Sequence, residues 1–223
     1  MGWLLGLVAL VACGGGTEGE GGPGVNPGDV TRPGIGSSLA TPVGTPYVLP
    51  SGVELLSPIE GYALDCIPEE QESQEEKGSG SLVSVCLRLR NTSAQLRTVE
   101  LPAGLILISD DLSSQNGMLA QAVPLQVPAQ QTLAVALHLY CINETRAPTA
   151  SWDTYRLGPV TQDPGLREII NLVADKFLPV PGREEVQYAI SNVTDGPGLT
   201  PQDRQALVSL PPLSAGREPG AAP

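Results

Sequence analysis

The strongest constraint on how this chain folds is a period of two. Residues 82–90 (LVSVCLRLR) put Val83, Val85, Leu87 and Leu89 on one face and Ser84, Cys86, Arg88 and Arg90 on the other. Residues 132–141 (TLAVALHLYC) alternate in the same way, with Leu133, Val135, Leu137, Leu139 and Cys141 pointing together. Shorter apolar runs lie at 61–66, 95–101, 104–109 and 118–127. The residues between them are turn formers: Asn91-Thr92-Ser93, Pro102-Ala103-Gly104, Asp110-Asp111, Asn116-Gly117 and Pro128. Short strands at this spacing predict an antiparallel β-sandwich-like domain over residues 47–142.

After Cys141 the period lengthens. Asp163 can cap a helix whose first residue is Pro164, and Leu166, Ile169, Ile170, Val173 and Phe177 form an apolar stripe at helical spacing. A second helix is predicted over residues 183–193, with Val186, Ala189, Ile190 and Val193 inward, ending near Gly196. A third begins at Thr200-Pro201-Gln202-Asp203, with Thr200 as cap, and stops before Pro211-Pro212. The expected fold class is therefore α+β. A small helical portion of about three helices, over residues 143–210, packs on the β-sandwich-like domain, and residues 211–223 form a disordered tail.

The chain begins differently. Residues 3–12 (WLLGLVALVA) are apolar but too short to span a bilayer at about 1.5 Å per residue, and match a signal peptide in length. Met1-Gly2 lacks the positive charge with which export signals usually begin. Leu10-Val11-Ala12-Cys13 resembles the lipobox of bacterial lipoproteins. The resemblance implies removal of residues 1–12 as a signal peptide and diacylglycerol on the Cys13 sulfur. It also implies an extracytoplasmic location, with the lipid bilayer as a partner through acyl chains on Cys13. Gly14 stands where an inner-membrane retention signal would have Asp, so the outer membrane is implied if the cell has two. Residues 13–46 read as the lipidated cysteine and a disordered tether. Eleven glycines, five prolines and no aromatic residue over 14–46 cannot offset the entropy of ordering. Such a tether has an r.m.s. reach of about 30 Å.

Charge and cysteines narrow the role of the folded part. With 24 Asp+Glu against 12 Lys+Arg, nucleic acid is excluded as a partner, because phosphate neutralisation needs clustered cations. With Cys13 committed to lipid, Cys66, Cys86 and Cys141 remain, an odd number in a compartment that permits disulfides. A Cys66–Cys86 bridge would close a loop of about twenty residues and contribute about 3 kcal/mol; the alternative is two buried thiols. Between them, Glu69, Glu70, Glu72, Glu75 and Glu76 read as a solvated acidic loop, as does Ser109-Asp110-Asp111, since no calcium-loop pattern is present. No metal or cofactor is expected.

His138 falls on the strand face opposite Cys141, which argues against a Cys–His pair. There is no Gly-x-Ser-x-Gly, His-Glu-x-x-His, Cys-x-x-Cys or phosphate loop, so no enzymatic activity is expected. Asn91, Asn143 and Asn192 each begin an Asn-x-Ser/Thr triplet, read as chance in a bacterial lipoprotein.

One constellation is sharper. Tyr140-Cys141-Ile142 ends a core strand, Val186-Gln187-Tyr188-Ala189-Ile190 lies in a helix, and Thr194-Asp195-Gly196 follows. Together these resemble the thioester domains of Gram-positive surface adhesins. The resemblance implies an internal thioester with Cys141 as the thiol and Gln187 as the acyl donor, open to attack by an amine on a host protein. Ser191 stands where that family has Trp, the Cys–Gln gap is shorter than the family's, and the anchor is lipid rather than a cell-wall signal. A buried strand-end cysteine and a surface glutamine are the plainer reading. The expected role is thus binding or structural at the cell surface, with a surface protein as the partner class. Covalent adhesion through Cys141 and Gln187 is the alternative.

Overall fold

A computed structural model describes residues 32–63, 65–68, 76–179 and 184–216. The elements are β1 (Gly44–Thr45), β2 (Val53–Gly61), β3 (Lys77–Gly78), β4 (Val83–Asn91), β5 (Arg97–Leu101), β6 (Leu105–Ser109), β7 (Gly117–Met118), β8 (Val123–Val127), β9 (Thr132–Cys141) and β10 (Thr154–Thr161), then α1 (Pro164–Val173), α2 (Glu184–Thr194) and α3 (Pro201–Val208).

The two alternating segments become neighbours. β4 and β9 pair antiparallel, from Val83 opposite Leu139 to Arg90 opposite Thr132. β2 pairs with the other edge of β4, and β10 with β2. β9 also pairs with β7, β7 with β6, and β6 with β10. The ring of β10, β2, β4, β9, β7 and β6 thus closes on itself. The expected α+β class holds, but the sandwich is corrected to a six-stranded barrel-like sheet. β5 and β8 form a separate two-stranded ribbon. Closure depends on β10, which falls in the stretch expected to be helical. Gly158 and Pro159 interrupt its alternation, and its register against β6 shifts between Leu157 and Val160. The β part therefore extends to Thr161.

Each face of the sheet has its own core. Inside, Leu87 and Leu89 of β4 meet Val135 and Leu137 of β9, Leu105 and Leu107 of β6, and Val99 and Leu125 of the ribbon. Outside, Ile106 and Ile108 of β6 and Met118 and Tyr140 pack against Leu166, Ile169, Val186, Ala189 and Ile190 of the helices. Because β6 serves both cores, all five of its residues are buried, which is why it reads as an unbroken apolar run. Asp163 caps α1 by accepting the Leu166 N–H (3.0 Å), and Thr200 with Asp203 forms a reciprocal capping box on α3.

Two boundaries move. Residues 32–46, expected in the tether, are fastened to the domain: Ile35 is buried, Gly36 N–H donates to the Ile142 carbonyl (2.8 Å), and β1 pairs with β10. Residues 211–213 are likewise held, by Phe177 N–H to the Pro211 carbonyl and Leu213 N–H to the Asp175 carbonyl (both 2.8 Å). The signal segment, Cys13, residues 14–31, Glu69, Glu70, Glu72, Glu75, Arg183 and residues 217–223 lie outside the described residues. Among the described residues, no helix is long and apolar enough to cross a membrane.

Candidate functional site

Cys141 is the last residue of β9, where the sheet leaves a main-chain edge to be satisfied. Ile142 N–H donates to the Asn116 carbonyl on the β7 side (3.2 Å), so the amide and carbonyl of Cys141 face the opposite edge. On that edge β4 has already run out, since its first residue, Val83, lies opposite Leu139. Gln187 takes the place of the next strand residue. Cys141 N–H donates to Gln187 Oε1 (2.9 Å), and Gln187 Nε2 donates to the Cys141 carbonyl (2.9 Å) and to Ser191 Oγ (3.4 Å). Val186, Ala189, Ile190 and Val193 anchor α2 in the outer core and so aim Gln187 at the strand end. The two residues singled out in the sequence, 46 apart along the chain, are brought together.

Cys141 itself is buried and lies outside the disulfide, which joins Cys66 and Cys86 with their Cα atoms 5.6 Å apart. Its Sγ accepts the Asn143 N–H at 3.4 Å. Polar side chains crowd this end of the barrel. Asn143, fully buried, donates from Nδ2 to the Gly34 and Gly36 carbonyls (3.2 and 2.7 Å), and its Oδ1 accepts the Asn116 N–H (3.1 Å). Asp195 accepts the Glu144 N–H (3.3 Å) and the Thr194 hydroxyl (2.6 Å). Tyr155 shares a hydrogen bond with Thr149 (2.8 Å), and its hydroxyl is pushed up to about 12, chiefly by burial. Gly36, at φ 63°, passes so close to α2 that a Cβ there would lie 2.4 Å from the Thr194 carbonyl oxygen.

Sequence reasoning found Cys141, Gln187 and Asp195 but missed Asn143, Arg146 and the segment around Gly36. The one available signal was Gly34-Ile35-Gly36, two glycines at positive φ around an apolar residue inside a stretch that otherwise reads as linker.

His138 is not directed at Cys141. Its Nδ1 lies 2.8 Å from Ser84 Oγ, its Nε2 lies 3.6 Å from Glu76, and its ring meets Tyr62 edge-on. Burial lowers its pKa and Glu76 partly offsets this. Ser84 sits inside β4, paired on both edges, so neighbouring main-chain amides belong to the sheet ladder rather than to an oxyanion site. The trio reads as structural.

Asp110 is paired with Arg156 (2.5 Å) and accepts the Thr154 hydroxyl (2.9 Å). Asp111 bonds the backbone N–H and hydroxyl of Ser113, which lower its pKa. Beside them Trp152 is 82 % exposed and Leu112 56 % exposed. Of the Asn-x-Ser/Thr asparagines, Asn91 and Asn143 are fully buried and hydrogen-bonded to main chain. Among the described residues no cluster of metal-ligating side chains is present. No family model matches the chain, and no curated protein and no solved structure matches it either.

Proposed function

We propose that this chain is an exported lipoprotein, anchored through Cys13, whose folded part joins partners covalently through an internal thioester between Cys141 and Gln187. The observation that carries the reading is the seating of the Gln187 carboxamide on the main chain of Cys141. The carboxamide is thereby held against the main chain of the residue that carries the thiol, and holding reactants together removes much of the entropy of bringing them together. In the forming step the Cys141 sulfur adds to Gln187 Cδ, the C–N bond breaks, and ammonia leaves with the thiol proton. In the attaching step an amine nitrogen adds to the same carbon, the C–S bond breaks, and the thiol returns as the amide forms. Burial of Cys141 keeps water from the bond until a partner amine is placed there.

Non-covalent binding is the second reading. It is favoured by the exposed Trp152 and Leu112 beside Asp110 and Asp111, since a large aromatic side chain so exposed suits a contact surface. On that reading the Gln187 hydrogen bonds are a strap between α2 and β9.

Intact mass of the unreduced chain from Gly14 onward separates the two. The thioester gives a mass lower by one ammonia than the disulfide-bonded sequence, and methylamine then adds its full mass. Cys141→Ser and Gln187→Ala each abolish both effects. A mass that lacks only the two hydrogens of the Cys66–Cys86 bridge, unmoved by methylamine, would leave the non-covalent reading.

A further inference from the structure

Trp152 and Leu112 are exposed at the tips of two pinned turns. In the turn over residues 150–153, the Asp153 N–H donates to the Ala150 carbonyl (3.0 Å) and the Asp153 carboxylate accepts the Ala150 N–H (2.8 Å). The Asp153 carbonyl also accepts the Gly61 N–H from the end of β2 (2.8 Å). In the turn over residues 111–114, the Ser114 N–H donates to the Asp111 carbonyl (3.1 Å), and the Ser113 carbonyl accepts the Ala147 N–H (2.8 Å). The turns are joined where the Asp110 N–H donates to the Thr154 carbonyl and the Asp110 carboxylate accepts the Thr154 hydroxyl (both 2.9 Å). An open groove lies between them, lined by Asp110, Asp111, Leu112, Trp152, Asp153 and Thr154. Both apolar side chains are therefore held in water by backbone fixed on either side, a placement that contributes no burial to folding. A surface ordered before its partner arrives loses little freedom on binding.

Charge decides what the groove accepts. Asp153 spends its carboxylate on its own turn, and Asp110 is paired with Arg156. Asp111 differs. Its Oδ1 accepts both the N–H and the hydroxyl of Ser113 (2.8 Å each), and among the described residues its Oδ2 accepts no bond. We infer that the groove binds a basic segment of a partner protein, with the stem of a Lys or Arg side chain on Trp152 and Leu112 and its cation at Asp111 Oδ2. A long basic side chain matches both halves of the surface, because its stem is apolar and only its head is charged. The indole face adds its own attraction for a cation. With 24 Asp+Glu against 12 Lys+Arg, the chain as a whole draws in a basic partner. The same charge opposes anionic lipid headgroups, which sets this surface apart from a membrane contact. The inference deepens the non-covalent reading and rests on it; it needs no thioester. Strand register places the groove at the barrel end that holds Cys141: Tyr155 lies opposite Ser109, just past Leu107, and Gly117 lies opposite both Leu107 and Cys141.

The experiment uses the full chain with Trp3→Phe, which leaves Trp152 as the sole tryptophan, so that its fluorescence reads the groove directly. The probe is a capped peptide of alternating lysine and leucine, titrated to about 1 mM. Companion titrations use the same peptide with glutamine or glutamate in place of lysine, and vesicles of phosphatidylcholine with and without phosphatidylglycerol. The lysine peptide is expected to give a saturable change in Trp152 emission that weakens as salt rises, and the glutamate peptide none. Asp111→Asn keeps an acceptor for Ser113 and removes the charge. It is expected to weaken binding about twofold to fivefold, and Asp111→Glu to recover part of the loss. Trp152→Ala, followed by calorimetry, is expected to lose most of the heat of binding. A glutamine peptide that binds as tightly as the lysine peptide, or an Asp111→Asn chain that binds like the parent, would overturn the basic partner and leave Trp152 as a contact surface. Emission that responds to vesicles but not to the lysine peptide would replace the inference with a membrane contact. No response to any probe would remove both the inference and the contact-surface reading beneath it.

Discussion

Gln187 is where the reactive and the structural roles meet. As an amide it satisfies both main-chain groups of Cys141. Truncation to alanine leaves a donor and an acceptor at a strand end without those partners, a loss of about 1–3 kcal/mol. Gln187→Ala should therefore lower the urea midpoint of the chain relative to the unreacted amide form. Gln187→Glu keeps the acceptor for the Cys141 N–H but sets a carboxylate against the Cys141 carbonyl. It should destabilise at neutral pH and recover as acid protonates it. An equal midpoint for all three chains would mean that the pair contributes nothing to folding. His138 makes a second residue-scale case. Burial depresses its pKa, so the unfolded chain binds the proton more readily than the native one, and stability is present above about pH 6.5. It is lost as pH falls through the lower native value. His138→Gln should flatten the pH dependence of the denaturation midpoint below neutrality; a slope unchanged by the substitution would assign that dependence to other groups. His138 was legible in the sequence only as a negative, on the face away from Cys141, because its partners Ser84 and Glu76 are set by strand pairing and by a distant loop.

Elements divide by how local their causes are. All three helices were legible because their signals sit within a few residues of one another: a capping Asp163 before Pro164, a capping Thr200 with Asp203, and apolar residues three and four apart. Removing the α3 cap with Thr200→Ala should cost about 1 kcal/mol, read by chemical denaturation. The loss should shrink in acid. Burial alone would raise the Asp203 pKa, but its bonds to Thr200 and Asn192 lower it overall. The carboxylate's contribution is thus present above the ordinary carboxylate range and lost as pH falls through the native value. An α3 cap worth the same at every pH would mean the Asp203 half of the box is idle. β10 was illegible for the opposite reason. Its partners β2 and β6 lie far away in sequence, and Gly158-Pro159 breaks the period that would have announced it. The candidate site was half legible on the same grounds. Helical register put Gln187 at the edge of an apolar stripe, and strand register put Cys141 at a strand end. That β4 stops two residues short of Cys141, leaving an edge for an amide to fill, is a fact of tertiary pairing.

For the whole molecule the decisive segment is the one that looked least structured. Residues 32–38 carry too little apolar surface to read as part of a core, and their value lies in what they supply to others. Ile35 enters the outer core; the Gly34 and Gly36 carbonyls accept from the buried Asn116 and Asn143 side chains; the Ser38 carbonyl accepts from Arg146. Arg32 pairs with Asp163 at the α1 cap (2.9 Å) and also donates to the Val193 carbonyl. A chain beginning at residue 47 would strand two buried asparagines and a buried arginine. At about 1–3 kcal/mol for each unmet polar group, and more for the charge, the sum approaches the roughly 5–15 kcal/mol that holds a whole domain folded. That chain should fail to fold or unfold many degrees lower, whereas one beginning at residue 32 should melt with the full-length protein in a calorimeter. Matching melting temperatures for both would make the segment a passenger. A loss confined to the shorter chain would make it part of the barrel end that holds Cys141, so that the expected tether reaches no further than residue 31.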